Sequence, residues 1–173
     1  MISFFTEILL NMGMNTKKHV TIYTDGGAIG NPGPGGYGAV LRYDDQKKEI
    51  CGAFRLTTNN RMEITAAIEA LRQLKTSCRV TLHSDSQYLV NAMTKGWVEK
   101  WQANGWMRNK KDPALNVDLW EELIPLCDFH NVNFVWVKGH AGIADNERCD
   151  ELTHEAINGG NLQIDTAYEK IAK

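Results

Sequence analysis

The patterning of the chain predicts an α/β domain, a five-stranded mixed sheet flanked by helices. Three β-branched, alternating segments follow one another early in the sequence. Further on, strand patterns alternate with amphipathic helical ones. Two strand segments also share a design, Val20-Thr21-Ile22-Tyr23-Thr24-Asp25 and Val80-Thr81-Leu82-His83-Ser84-Asp85, each ending in Asp at the same register. Consecutive strands favour an antiparallel meander, and strands separated by helices favour parallel pairing, so the sheet is expected to be mixed.

Val20–Thr24 opens the sheet and stops at Asp25-Gly26-Gly27. The run Gly30-Asn31-Pro32-Gly33-Pro34-Gly35-Gly36 is a dense turn signal. Tyr37–Tyr43 and Glu49–Leu56 read as the next two strands, joined through Asp44-Asp45-Gln46 as a hairpin. Asn60–Lys75 is predicted as a helix because Ile64, Ala67, Ile68, Leu71 and Leu74 fall on one face. Arg79–Ser84 is the fourth strand and Ser86–Met93 a helix. Gly96–Lys111 reads as irregular and Trp-rich. Val117–Cys127 is a further helix, expected to bend or end near Pro125, whose ring removes an internal hydrogen bond. Asn131–Val137 alternates Val132, Phe134 and Trp136 as a fifth strand. Asn146–Ile157 is the last helix, closed by Asn158-Gly159-Gly160.

The 173 residues suit one domain with a real core. Residues 1–15 read as a short N-terminal extension, 16–160 as the domain and 161–173 as a C-terminal tail. The extension is apolar at Ile2, Phe4, Phe5, Ile8, Leu9 and Leu10, but no Lys or Arg precedes these, unlike a secretory signal. No apolar run approaches the ~20 residues that span a bilayer. Cys51, Cys78, Cys127 and Cys149 form no C-x-x-C pair and read as reduced thiols of a cytoplasmic protein. With a formal net charge of −2, nucleic acid would have to be held by local patches rather than bulk charge.

If the two Asp-terminated strands are parallel neighbours, their backbones lie ~4.8 Å apart and Asp25 and Asp85 share one sheet edge. Ligands gather beyond the carboxyl ends of strands in such sheets. Taken singly, both could be turn aspartates. Glu63 stands in the first turn of its helix, where with Asn60 it could equally form a capping box. Asp150 lies in the final helix beside Glu151, where a solvated face is the alternative. Together the four are hard oxygen ligands of the kind Mg²⁺ prefers. Two metal ions can clamp the attacking and leaving oxygens of a phosphoryl displacement. His140, in the loop Lys138-Gly139-His140-Ala141-Gly142, could move protons near neutral pH or simply be an exposed loop residue. Trp97, Trp101 and Trp106 lie among Lys95, Lys100, Arg108, Lys110 and Lys111. That mixture suits a nucleic-acid groove, and the Trp97–Trp101 spacing equally suits a small local core.

Seven segments carry a resemblance: Tyr23-Thr24-Asp25-Gly26-Gly27, the Gly30–Gly38 turn, Thr57-Thr58-Asn59-Asn60-Arg61-Met62-Glu63, Ser84-Asp85-Ser86-Gln87-Tyr88, Asn116-Val117-Asp118-Leu119-Trp120, Trp136–Gly142 and Asn146–Leu152. In this sequence and order they resemble type 1 ribonuclease H in its bacterial form, over Val20 to Ile157. The resemblance implies the ribonuclease H-like fold and an endonuclease that hydrolyses the RNA strand of RNA–DNA hybrids, leaving 5′-phosphate and 3′-hydroxyl ends. It implies that Asp25, Glu63, Asp85 and Asp150 bind two Mg²⁺ ions, with Mn²⁺ as a possible substitute, and that His140 is a mobile catalytic histidine. Asn31, Asn59, Asn60 and Gln87 match residues that touch the RNA strand, partly at 2′-hydroxyls. Thr58 and Asn116 match residues that hold a phosphate of the DNA strand. Trp97 and Trp101 match a basic, DNA-gripping protrusion. Here that segment continues Gln102-Ala103-Asn104 without a cation and carries Glu99, and Leu56 stands where many relatives place an arginine, so a weaker grip is expected. The implied partner is the hybrid duplex, with no membrane, no obligatory protein partner and a monomeric state. The competing reading is a non-catalytic hybrid-binding module on the same fold; retention of all four carboxylates argues against it.

Overall fold

The structure, a computed structural model, describes residues 17–172. The expected extension at residues 1–15 lies outside the described residues. Strands β1 (His19–Ala28), β2 (Gly33–Tyr43) and β3 (Gln46–Thr57) form the predicted antiparallel meander, with Asp44-Asp45 as the tight turn between Tyr43 and Gln46. Helix α1 (Asn59–Arg72) follows. Then come β4 (Arg79–Ser84), α2 (Gln87–Thr94), α3 (Trp97–Ala103), α4 (Val117–Phe129), β5 (Asn131–Trp136) and α5 (Ala144–Asn158). The chain closes with β6 (Leu162–Gln163) and α6 (Thr166–Ile171). The sheet order is β5-β4-β1-β2-β3-β6, with β1–β4, β4–β5 and β3–β6 parallel. The mixed sheet is therefore as expected, with a two-residue sixth strand added at the far edge.

Side chains alternate across the sheet, and the two faces bury different helices. Val20, Ile22, Leu41, Val80, Leu82 and Phe134 pack with Ile64, Ile68 and Leu71 of α1 and with Leu89, Trp120 and Leu123 in the main core. On the opposite face Val40 packs with Cys149 and Leu152 of α5, and Tyr23 lies against them. Val40 and Leu41 are both fully buried although adjacent, because each points to a different helix layer. The cysteines are free thiols. Among the described residues no helix is long and apolar enough to cross a membrane.

Two local expectations change. Trp97–Ala103 is helical, which brings Trp97 and Trp101 to one side with ring centroids 6.3 Å apart. Proline does not end α4: Pro125 sits inside it, on the exposed side, where the carbonyl it leaves unpaired can face water. Within the segment expected as a C-terminal tail, β6 and α6 are tied to the domain by Asp165, which is buried against Arg61.

Candidate active site

Parallel pairing of β1 with β4 places Thr24 opposite Ser84, so Asp25, still within β1, and Asp85, just past the end of β4, stand side by side where the pairing of these two strands ends. The third carboxylate comes from α1. A Cβ on Gly26 would collide with the carbonyl of Met62 and lie 2.6 Å from Glu63 N, so only glycine lets β1 and α1 approach this closely. That approach swings Glu63 inward. One carboxylate oxygen from each of Asp25, Glu63 and Asp85 lies within 4.8 Å of the others. Glu63 does not cap its helix; Thr58 does, its hydroxyl accepting from Arg61 N at 3.3 Å. Glu63 Oε2 is buried and, among the described residues, has no hydrogen-bond partner.

These surroundings disfavour the ionised form of the carboxylates. Burial, followed by the charges of Asp85 and Asp150, pushes Asp25 up to about 6 from an ordinary 3.8; the amide of Gly26 and nearby His140 act in the other direction. Burial and the charges of Asp25 and Asp85 raise Glu63 well above the usual carboxylate range. Like charges this close, one of them with an orphaned buried oxygen, need a cation or protons to coexist. Three hard oxygen donors around one point suit a divalent metal ion.

Asp150 stands outside this trio, on the neighbouring helix. The α5 helix is seated close to the sheet because Gly38 has no side chain; a Cβ there would strike Cys149 O and lie 2.7 Å from Leu152 Cβ. The residues flanking Asp150 fix its position: Cys149 Sγ donates to Tyr23 O at 3.2 Å and Thr153 Oγ1 to Asp25 O at 3.4 Å. Its own carboxylate is half-exposed and lies 3.5 Å from His154 Nε2. His140 is exposed in the β5–α5 loop with a left-handed backbone (φ 52°), within electrostatic reach of Asp25. The far end of that loop is pinned by Gly142 N donating to Glu147 Oε1 at 3.0 Å.

The expected substrate residues fall into two groups. Asn31, Thr58, Asn59, Asn60 and Asn116 line one groove of about 460 Å³ together with Leu115 and Tyr168. Its amides are held in place. Asn59 N donates to Asn31 Oδ1 at 3.0 Å, and Asn59 Oδ1 accepts from Ala28 N at 2.7 Å, which leaves the Asn59 NH₂ group as a donor. Asn116 Nδ2 reaches Tyr88 Oη at 3.4 Å. Gln87 is exposed at the first position of α2, two residues past Asp85. The second group is the tryptophan segment, where Trp97, Lys100, Trp101, Asn104, Met107 and Arg108 line a hollow of about 600 Å³. Trp101 is only 9% exposed and its ring centroid lies 6.2 Å from that of Trp120, so most of this side chain belongs to the core.

Sequence reasoning assigned no role to Arg61, Asp118, Asp165 or Tyr168. Arg61 is 3% exposed and makes paired hydrogen bonds to both Asp118 and Asp165 at 2.7–2.9 Å. Burial alone would lower its pKa, and the two carboxylates outweigh this and raise it. The available signals were an arginine on the apolar side of a helix and an Asp preceding a short helical pattern at Asp165-Thr166.

Residues 17–158 match the family model described as RNase H. A ribonuclease H of Desulforamulus reducens is 59% identical over 157 residues, covering 90% of this chain and 99% of the relative. A ribonuclease HI of Synechocystis is 50% identical over 157 residues, covering 90% and 98%. Among solved structures, LC9-RNase H1, a type 1 RNase H with the type 2 active-site motif, superposes with a TM-score of 0.74 at 34% identity, covering 90% of this chain and 81% of that one. LC11-RNase H1 in complex with an RNA/DNA hybrid superposes with a TM-score of 0.64 at 28% identity, covering 81% and 97%.

Proposed function

The chain belongs to the RNase H family, and on that premise we propose that it is an endonuclease hydrolysing the RNA strand of RNA–DNA hybrids. The observation that carries this is the meeting of Asp25, Glu63 and Asp85 at one sheet edge, with an amide-lined groove formed by residues of the β1–β2 turn and the α1 N-terminus. Asp25, Glu63, Asp85 and Asp150 would hold two Mg²⁺ ions, with Mn²⁺ able to substitute. Bound there, the ions would activate water and neutralise charge developing on the scissile phosphate, giving 5′-phosphate and 3′-hydroxyl ends.

The chain's own residues do the rest. Burial and mutual repulsion raise the pKa of Asp25 and Glu63, so protons compete with metal for these carboxylates as pH falls. Asn31, Asn59, Asn60 and Gln87 present amides to the RNA strand, and an amide both donates to and accepts from a 2′-hydroxyl, the group that distinguishes RNA from DNA. Thr58 and Asn116 bind the other strand's backbone. His140, on an exposed loop within reach of Asp25, carries a proton toward the leaving oxygen. Trp97 and Lys100 extend the contact, with Trp101 holding their helix to the core. The protein acts in the cytoplasm as a monomer, without an obligatory protein partner.

The test is one labelled sequence presented as hybrid, RNA duplex, DNA duplex and single strands, each with Mg²⁺, Mn²⁺ or chelator, beside Asp25→Asn. Metal-dependent cutting of the hybrid's RNA alone, lost in the variant, is expected. A hybrid bound but uncut with either metal would refute the enzyme reading in favour of a binding module.

A further inference from the structure

The amide-lined groove has one wall that comes from beyond the family match. Tyr168 lies on α6, past residue 158 where that match ends, and it lines the same hollow as Thr58 and Asn116. Among the described residues no lysine or arginine lines the hollow. The nearby guanidinium of Arg61 is taken up by two carboxylates. An anion there must therefore be held by neutral donors and helix ends.

Such donors converge. The hydroxyl of Thr58 accepts from Arg61 N, which leaves its proton to donate outward. Asn116 begins α4 without a cap bond from its own side chain, and the N-terminal end of this 13-residue helix stands beside the hollow. The 14-residue α1 directs its N-terminus to the same place from Thr58. Tyr168 adds a phenol that is half-buried, and among the described residues its hydroxyl makes no hydrogen bond.

The position of Tyr168 is built rather than incidental. Asp165 caps α6 by accepting from Tyr168 N at 3.2 Å. The same carboxylate accepts from Thr57 Oγ1 at 2.9 Å and from Arg61 Nε at 2.7 Å. The Tyr168 ring lies 5.8 Å from the Arg61 guanidinium carbon, and Arg55 pairs with Glu169 at 2.7 Å. Arg61 thus joins the three segments that carry the donors: α1 after Thr58, α4 after Asn116, and α6.

We propose that Tyr168 is a substrate-binding residue, its phenol donating a hydrogen bond to a backbone phosphate of the hybrid, with the Arg61–Asp118–Asp165 cluster as its positioning device. This rests on the proposed hybrid substrate. The contact makes the C-terminal helix part of the nucleic-acid surface.

The experiment compares the full chain with Tyr168→Phe and Tyr168→Ala. Hybrid Kd is measured in chelator, and KM and kcat are measured with Mg²⁺. Phenylalanine keeps the ring over Arg61 and removes only the hydroxyl, so its melting temperature should match the parent's. Its Kd and KM should rise about tenfold, the order expected for a hydrogen bond to a charged group, while kcat stays within about twofold. Hybrids carrying one neutral methylphosphonate at a time, in the DNA strand and then in the RNA strand, identify the phosphate. Binding should weaken at one position for the parent and be insensitive there for Tyr168→Phe. A Tyr168→Phe variant that binds as tightly as a parent able to cut the hybrid, or that shows the same methylphosphonate pattern, would overturn the inference alone. A parent that neither binds nor cuts the hybrid would overturn it together with the proposed function.

Discussion

Removing one charge from the carboxylate cluster should stabilise the metal-free protein at neutral pH. Asp25 is raised from 3.8 to about 6. Between those values the native state keeps a proton that the unfolded chain has lost. Stability therefore falls as pH rises through this window, and the loss persists above about pH 6. At 1.36 kcal/mol per pH unit the rise corresponds to about 3 kcal/mol. The cluster is only partly buried, and solvent screening reduces the figure to about 1–2 kcal/mol. Asp25→Asn mimics the protonated form, so in chelator at pH 8 it should melt about 3–6 °C above the parent. The gap should close toward pH 4, where the parent's Asp25 is protonated. Added Mg²⁺ should reverse the order, because an ion bound by the native state alone stabilises the parent and is held less well by the variant. Thermal unfolding followed by circular dichroism at pH 4, 6 and 8, with and without metal, reads all three effects. A variant that melts at or below the parent at pH 8 in chelator would refute the claim that repulsion and burial at this edge are unrelieved without a cation.

Gly26→Ala should cost about 1–3 kcal/mol in urea unfolding, because its Cβ meets α1 backbone that must shift; it should also weaken metal affinity by displacing Glu63 from Asp25. Arg61→Ala leaves the Asp165 carboxylate buried without its guanidinium and should cost about 3–5 kcal/mol by the same assay, with α6 becoming open to proteolysis first. His140→Ala should lower kcat about 100-fold while hybrid Kd holds, since the side chain is exposed and supports no packing; single-turnover cleavage beside a binding titration separates the two.

Much of this protein is written locally. Val20–Thr24 and Val80–Ser84 alternate with period two, and the apolar side chains of α1 recur at helical spacing, so strand and helix identities follow from neighbours a few residues apart. The repeated Asp at the ends of two strands likewise predicts a shared edge once parallel pairing is assumed. What adjacency cannot settle is which alternative a residue adopts when both are locally sound. Glu63 follows Asn60 as a capping residue would, and only the close approach of β1 to α1 at Gly26 draws it into the cluster instead. Trp97 and Trp101 share one helical spacing, yet contact with Trp120 in another helix commits Trp101 to the core. Pro125 signals a helix end, but tertiary packing of Leu123 holds α4 together across it. The tail beyond residue 160 carries no long pattern, and its place was decided by a buried arginine more than a hundred residues earlier in the chain. The sequence by itself determined the elements and the chemical inventory, because backbone propensity and side-chain periodicity act over short range. The tertiary structure decided which carboxylates meet and which segments wall the groove, because those outcomes depend on how near two backbones can come and on which buried charges must find a partner.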